Sequence, residues 1–171
     1  MSNLVRNIIG RNVKSIRIAL GLSLLNFSIV TGMSKASVIN IESGKTGYNL
    51  NLLDNIILFS KQSLGDLSKE DYAPVDDLRD QLINHYKNKP EFIGILTQKP
   101  EIVYAVKYKL LKSNFINEPK EINEIKVFFE QFGWKYLGTS ISNALKRMPA
   151  NVSINKHPSK KNTHVYSKNK S

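Results

Sequence analysis

Over the first 70 positions apolar residues return with the 3.6-residue period of helices. Val5, Ile8 and Ile9, then Val13, Ile16 and Leu20, fall at i, i+3, i+4 spacing and predict one long helix with a single apolar face. Gly21 ends that run, and Ser23 is placed to cap a short helix from Leu24 to Thr31. Gly32-Met33 reads as a turn. Ser34 caps a third helix, Lys35 to Glu42, and Ser43-Gly44 stops it. Asn49 or Asn51 opens a fourth helix that runs to about Ser60, and Leu64 and Leu67 mark a fifth, short one.

From Ser68 to Pro74 the chain is polar and ends in proline, which places a boundary there. Val75, Leu78, Leu82 and Tyr86 then line one face of a helix opened by Asp76-Asp77 and closed near Pro90. It serves as a connector, a dimer contact, or the first helix of the second domain. Further on, Ile102, Val103, Val106 and Leu110 predict a helix. Ile122, Ile125, Phe128, Phe129 and Phe132 predict another, led by Glu121 and closed by Gly133. Thr139 or Ser140 caps a third, with Ile141, Ala144, Leu145 and Met148 inward and Pro149 as its stop. Then the period changes to two. Val152 and Ile154 alternate with polar residues, Lys156 to Asn162 is turn-rich, and Val165-Tyr166 comes after it. Helices followed by a hairpin with a basic tip is the order of a winged helix. The division this implies is 1–70, a linker helix over 71–90, and a basic domain over 91–171.

The stretch from Asn12 to Lys45 resembles the Xre/Cro family, the helix-turn-helix domain of lambda-type repressors. Val13-Lys14-Ser15-Ile16-Arg17, Gly21-Leu22-Ser23, Gly32-Met33-Ser34 and Ile41-Glu42-Ser43-Gly44-Lys45 carry the resemblance. It implies that Arg17 and Glu42 pair internally. It also implies that the third helix enters the major groove with its N-terminal residues at the base edges. Lys35, Ala36 and Asn40 then occupy base-reading positions: a lysine suits guanine O6 and N7, an asparagine adenine N6 and N7, and an alanine a thymine methyl. Ser37 stands beside them, and Ser43, Lys45 and Thr46 suit phosphates. The family usually has a glutamine after the Gly-Leu-Ser, and here it is Leu24. With Leu25, Ile29 and Val30 this makes the second helix unusually apolar. Such a face packs on another domain or chain, or the domain grips DNA differently.

Residues 121–148 are similar to a winged-helix recognition unit. Ser140, Ser142, Asn143, Lys146 and Arg147 are the polar positions of its recognition helix, and Lys156, Lys160 and Lys161 belong to the wing. The other reading of this half is a small helical domain with a basic face used for dimerisation. Trp134 and Tyr136 read as core packing.

Charge sharpens the picture. The chain has 171 residues and a formal net charge of +11, with 41% hydrophobic residues, enough for a packed core. Residues 1–41 carry Arg6, Arg11, Lys14, Arg17 and Lys35 and no acid. Residues 131–171 carry Lys135, Lys146, Arg147, Lys156, Lys160, Lys161, Lys168 and Lys170, again without an acid. Two acid-free basic blocks predict two surfaces that face a polyanion. With no cysteine, disulfides and cysteine-ligated metals are excluded. His85, His157 and His164 lack a metal-ligand spacing, and no nucleophile–base pair or carboxylate dyad is legible, so neither a catalytic site, a metal site nor a cofactor is expected. No run reaches the roughly 18 apolar residues of a membrane span. The start of the chain reads as mature cytoplasmic sequence.

The expectation is a mainly α protein: a five-helix lambda-repressor-like domain followed by a small winged-helix-like α+β domain. Its expected work is sequence-specific transcriptional regulation, as a repressor on double-stranded DNA and as a homodimer. The alternative is a protein-interaction adaptor, or an antitoxin-like mobile-element protein, whose C-terminal basic unit binds DNA.

Overall fold

The computed structural model describes residues 3–45 and 49–170. It is mainly helical, with one two-stranded antiparallel sheet at the C-terminal end. The chain divides into two compact units, one through Gln98 and the other from Lys99.

The first unit holds α1 (Asn3–Ala19), α2 (Leu24–Thr31), α3 (Lys35–Ser43), α4 (Leu50–Ser60), α5 (Leu64–Ser68), α6 (Leu78–His85) and α7 (Pro90–Leu96). Ile9, Val13 and Ile16 on α1 are buried, as are Phe27, Val38, Ile41, Leu53, Ile56 and Leu67 on the next four helices. Each such side chain contributes roughly 1.5–3 kcal/mol by leaving water. The caps are local. Ser23, Ser34 and Asn49 each accept a backbone N–H three residues on, from Asn26, Ser37 and Leu52. Gly44 ends α3 at φ +63°, a conformation that costs a Cβ-bearing residue energy. Gly10, in the middle of α1, has a different reason. A Cβ there would run into the Ile41 carbonyl oxygen and stand 2.9 Å from that of Glu42, so the missing side chain lets α1 pack directly on the end of α3. The buried Asn12 fastens α1 to α5: its Nδ2 donates to the carbonyls of Leu67 (2.9 Å) and Lys69 (2.7 Å).

Residues 71–98 belong to this first unit, so the polar break at Ser68–Pro74 is a loop within it. The expected linker helix over 71–90 is shorter, Leu78–His85, and is docked. Val75 is exposed, but Leu78, Leu82 and Tyr86 are buried. Tyr86 stacks on Phe59 with ring centroids 5.5 Å apart, packs against Phe92 at 4.5 Å, and donates its hydroxyl to the Phe59 carbonyl at 2.8 Å. The buried Arg79 donates to the carbonyls of Leu20 and Gln98. A helix with buried apolar residues and a buried guanidinium is held by the core, not strung between domains. The second unit accordingly begins at Lys99 instead of residue 91.

In the second unit α8 (Ile102–Tyr104) runs into a π-helical stretch, Ala105–Leu110, closed by the Leu111 amide donating to the Val106 carbonyl at 2.9 Å. A 3-10 turn, Phe115–Asn117, precedes α9 (Ile122–Glu130) and α10 (Gly138–Lys146). Strands β1 (Val152–Lys156) and β2 (His164–Lys168) pair with Ile154 opposite Tyr166. Lys120, just before α9, bridges to Tyr166 through two backbone hydrogen bonds of 2.8 Å. The core draws on helices and strands alike: Val106, Leu110, Ile116, Ile125, Phe129, Ile141, Leu145, Val152 and Tyr166 are all buried in it. Two expectations are corrected. The cap of α10 is Leu137, without a side-chain hydrogen bond, because the helix starts at Gly138, ahead of Thr139 and Ser140. Phe132 lies past the end of α9, exposed, with its ring stacked on Trp134 at 4.9 Å. Trp134 and Tyr136 pack against the core while remaining partly exposed. Among the described residues no single helix is long and apolar enough to cross a membrane.

Candidate nucleic-acid interface

The first candidate surface is the outer face of α3. Val38 and Ile41 are fully buried and fix the roll of the helix. Its last turn is locked to α1 by Arg17 and Glu42. Nε donates to Oε1 at 2.6 Å and Nη2 to Oε2 at 2.9 Å, while Nη1 donates to the Leu22 carbonyl at 3.1 Å. The two side chains are only 13% and 8% exposed. Arg17 is therefore spent inside the unit, and its charge adds nothing to a contact surface.

With that face inward, Lys35, Ala36, Asn40, Ser43 and Lys45 are all exposed, outside the core. Ser37 is drawn into the N-cap: its amide donates to Ser34 Oγ at 3.0 Å and its hydroxyl lies 2.9 Å from the same oxygen. Ser43 Oγ donates back to the Asn40 carbonyl at 3.0 Å. Thr46 lies outside the described residues. One residue of this face escaped the sequence reading. Ile39 is 44% exposed between the polar positions. Its place off the buried i, i+3 pair Val38–Ile41 was the available signal.

On α2 the apolar residues divide. Val30 is buried in the unit and Leu24 is partly exposed, whereas Leu25 and Ile29 are each 55% exposed. Val30 is thus an ordinary core residue, and the bare apolar face reduces to Leu25 and Ile29, with Leu24 at its edge.

The second candidate surface is built from α10 and the hairpin loop. Ile141, Ala144 and Leu145 are buried, which turns Asn143, Lys146 and Arg147 outward, with Ser140 partly exposed. Ser142 is committed elsewhere: its Oγ and the Tyr166 Oη share a hydrogen bond of 3.0 Å that ties α10 to β2. Lys156, Lys160 and Lys161 are exposed around an open concavity that His157 and His164 also line. Lys160 is engaged, its Nζ 2.5 Å from Glu121 Oε1. His157 Nε2 stands 3.3 Å from the same oxygen, and its Nδ1 accepts the amides of Ser159 and Lys160 at 3.1 Å each. The loop tip is therefore pinned to the start of α9, where Glu121 is also the N-cap. The Lys160 hydrogen bond, with the Lys160 charge behind it, holds the Glu121 carboxyl below the usual carboxylate range. Glu121 and His157 were not foreseen, since no local pattern links the start of α9 to a loop 39 positions on.

These surfaces offer cations, amides and hydroxyls at an outward helix face, the donor set that phosphates and base edges accept. Among the described residues no three His, Asp or Glu groups gather as a metal site. Comparison with known proteins finds no matching family model, no matching curated protein and no matching solved structure.

Proposed function

We propose that this chain is a sequence-specific regulator of transcription that binds double-stranded DNA, acting as a repressor and as a dimer. The observation that carries the reading is the outer face of α3. It presents Lys35, Ala36 and Asn40 from a helix whose roll is fixed by Val38, Ile41 and the Arg17–Glu42 pair. In this reading the first unit is lambda-repressor-like and α3 lies in the major groove, with Ser43 and Lys45 toward phosphates. The second unit is winged-helix-like. Asn143, Lys146 and Arg147 face DNA from α10, and Lys156 and Lys161 meet the backbone from the wing. The order of helices and hairpin and the acid-free charge of residues 131–171 support it.

The test is selection of bound sequences from a random double-stranded pool. A palindromic consensus is expected, its half-site spacing reporting the dimer. Recovery of unenriched sequence at moderate salt overturns the reading.

A second reading has its own observation, the 55% exposure of Leu25 and Ile29. In it α2 docks a protein and only the C-terminal unit touches DNA. An adaptor of this kind loses DNA affinity shallowly with salt, a two-surface reader steeply.

A further inference from the structure

An isoleucine stands where a solvated helix face normally carries polar groups. Ile39 is 44% exposed, while Val38 and Ile41 beside it are 0%. It follows Lys35 by four residues and Ala36 by three, and precedes Ser43 by four, so these side chains neighbour one another on the helix surface. Ala36 and Ile39 make a short apolar strip bordered by Lys35, Asn40 and Ser43. A β-branched residue adds nothing to helix propensity there. Nor does it add to the core, which Val38 and Ile41 already serve.

The neighbours say what the strip faces. Lys35 and Lys45 are cations, and Asn40 carries an amide donor. The nearest acid in sequence, Glu42, is turned inward onto Arg17. The DNA major groove offers what this set needs: acceptors on base edges, phosphates, and one apolar group, the C5-methyl of thymine.

We infer that Ile39 is a specificity-determining residue that packs on a thymine C5-methyl in each half-site, beside the base pair read by Asn40. This rests on the proposed entry of α3 into the major groove. It moves the principal apolar contact from Ala36 to Ile39, whose longer side chain covers more of a methyl than alanine's single carbon. Hiding one methyl from water is worth about 0.8 kcal/mol, which is roughly fourfold in affinity.

The experiment uses the full chain and the operator selected by the wild-type protein. Each thymine is replaced in turn by deoxyuridine, which lacks only the methyl, and affinity is measured for the wild type and for Ile39→Ala. Ile39→Ala keeps a strong helix former at an exposed site, and its melting curve checks the fold. One deoxyuridine position per half-site is expected to weaken the wild type about fourfold and to leave Ile39→Ala unchanged. Selection with Ile39→Ala is expected to lose the thymine preference there and nowhere else. A wild type indifferent to deoxyuridine at every position overturns the inference. So does a sensitive position whose loss persists in Ile39→Ala, and one that vanishes instead in Ala36→Gly. Absence of any wild-type consensus refutes DNA reading itself, and this assignment with it.

Discussion

Replacing Glu42 by alanine probes the joint between α1 and α3. Arg17 then keeps only the Leu22 carbonyl as partner, in a place where its side chain is 13% exposed. Exposed ion pairs are worth about 0–1 kcal/mol, and breaking a fully buried one costs about 3–5 kcal/mol. With two parallel hydrogen bonds of 2.6 and 2.9 Å and nearly complete burial, this pair lies toward the upper case, at about 2–4 kcal/mol. For a domain of this size each kcal/mol moves the midpoint by roughly 4–8 °C, so a loss of at least about 8 °C is expected. Thermal melting followed by far-UV circular dichroism measures it, and hydrogen exchange at α1 and α3 amides localises it. Glu42→Gln, which keeps an acceptor but no charge, should fall between. Adding Arg17→Met to Glu42→Ala should recover part of the loss, because no uncompensated charge remains. The selected DNA consensus should not change, since Glu42 does not face outward. A Glu42→Ala midpoint within about 2 °C of wild type, the small shift of an exposed pair, would refute the reasoning.

Asn40→Ala should change which base pair is preferred at one position per half-site, by about 1–3 kcal/mol of discrimination; a repeated selection with an unaltered consensus removes Asn40 from the reading set. Glu121→Gln should strengthen binding to all DNA sequences and steepen its salt dependence by up to about 0.9 in slope by freeing Lys160, while Lys161→Ala should reduce the slope by a similar amount; a salt series for both variants decides. The lowered carboxyl of Glu121 stabilises the fold above the ordinary carboxylate pKa, and that stabilisation is lost as pH falls through its folded value. Melting temperature, followed from about pH 5 down to about pH 2, should therefore fall more steeply for wild type than for Glu121→Gln. Gly10→Ala should lower the melting temperature despite a helix-propensity gain of about 1 kcal/mol, because the new methyl meets the Ile41 and Glu42 carbonyls; a rise would show that α1 can shift freely.

Much of the helical layout is legible in the chain because its causes are local. Spacings such as Val13–Ile16–Leu20, and caps such as Ser23, Ser34 and Asn49, act within a few residues and are realised where the pattern puts them. The outward positions of α3 follow from the same periodicity. The Arg17–Glu42 pair, 25 positions apart, was legible only through a family resemblance. What the tertiary structure alone decided depends on groups far apart in sequence. Arg79 reaches the Leu20 carbonyl across 59 positions, which drew residues 71–98 into the first unit. Ser142 was taken by Tyr166 and Lys160 by Glu121, across 24 and 39 positions, so two residues with the right chemistry for DNA already have partners. The need for a glycine at position 10 is a fact about the α3 carbonyls lying against it. A periodic pattern tells which face of an element is buried, because burial depends on the side chain's own chemistry. It carries no record of which distant group arrives at that face, because partner choice is set only when the elements pack.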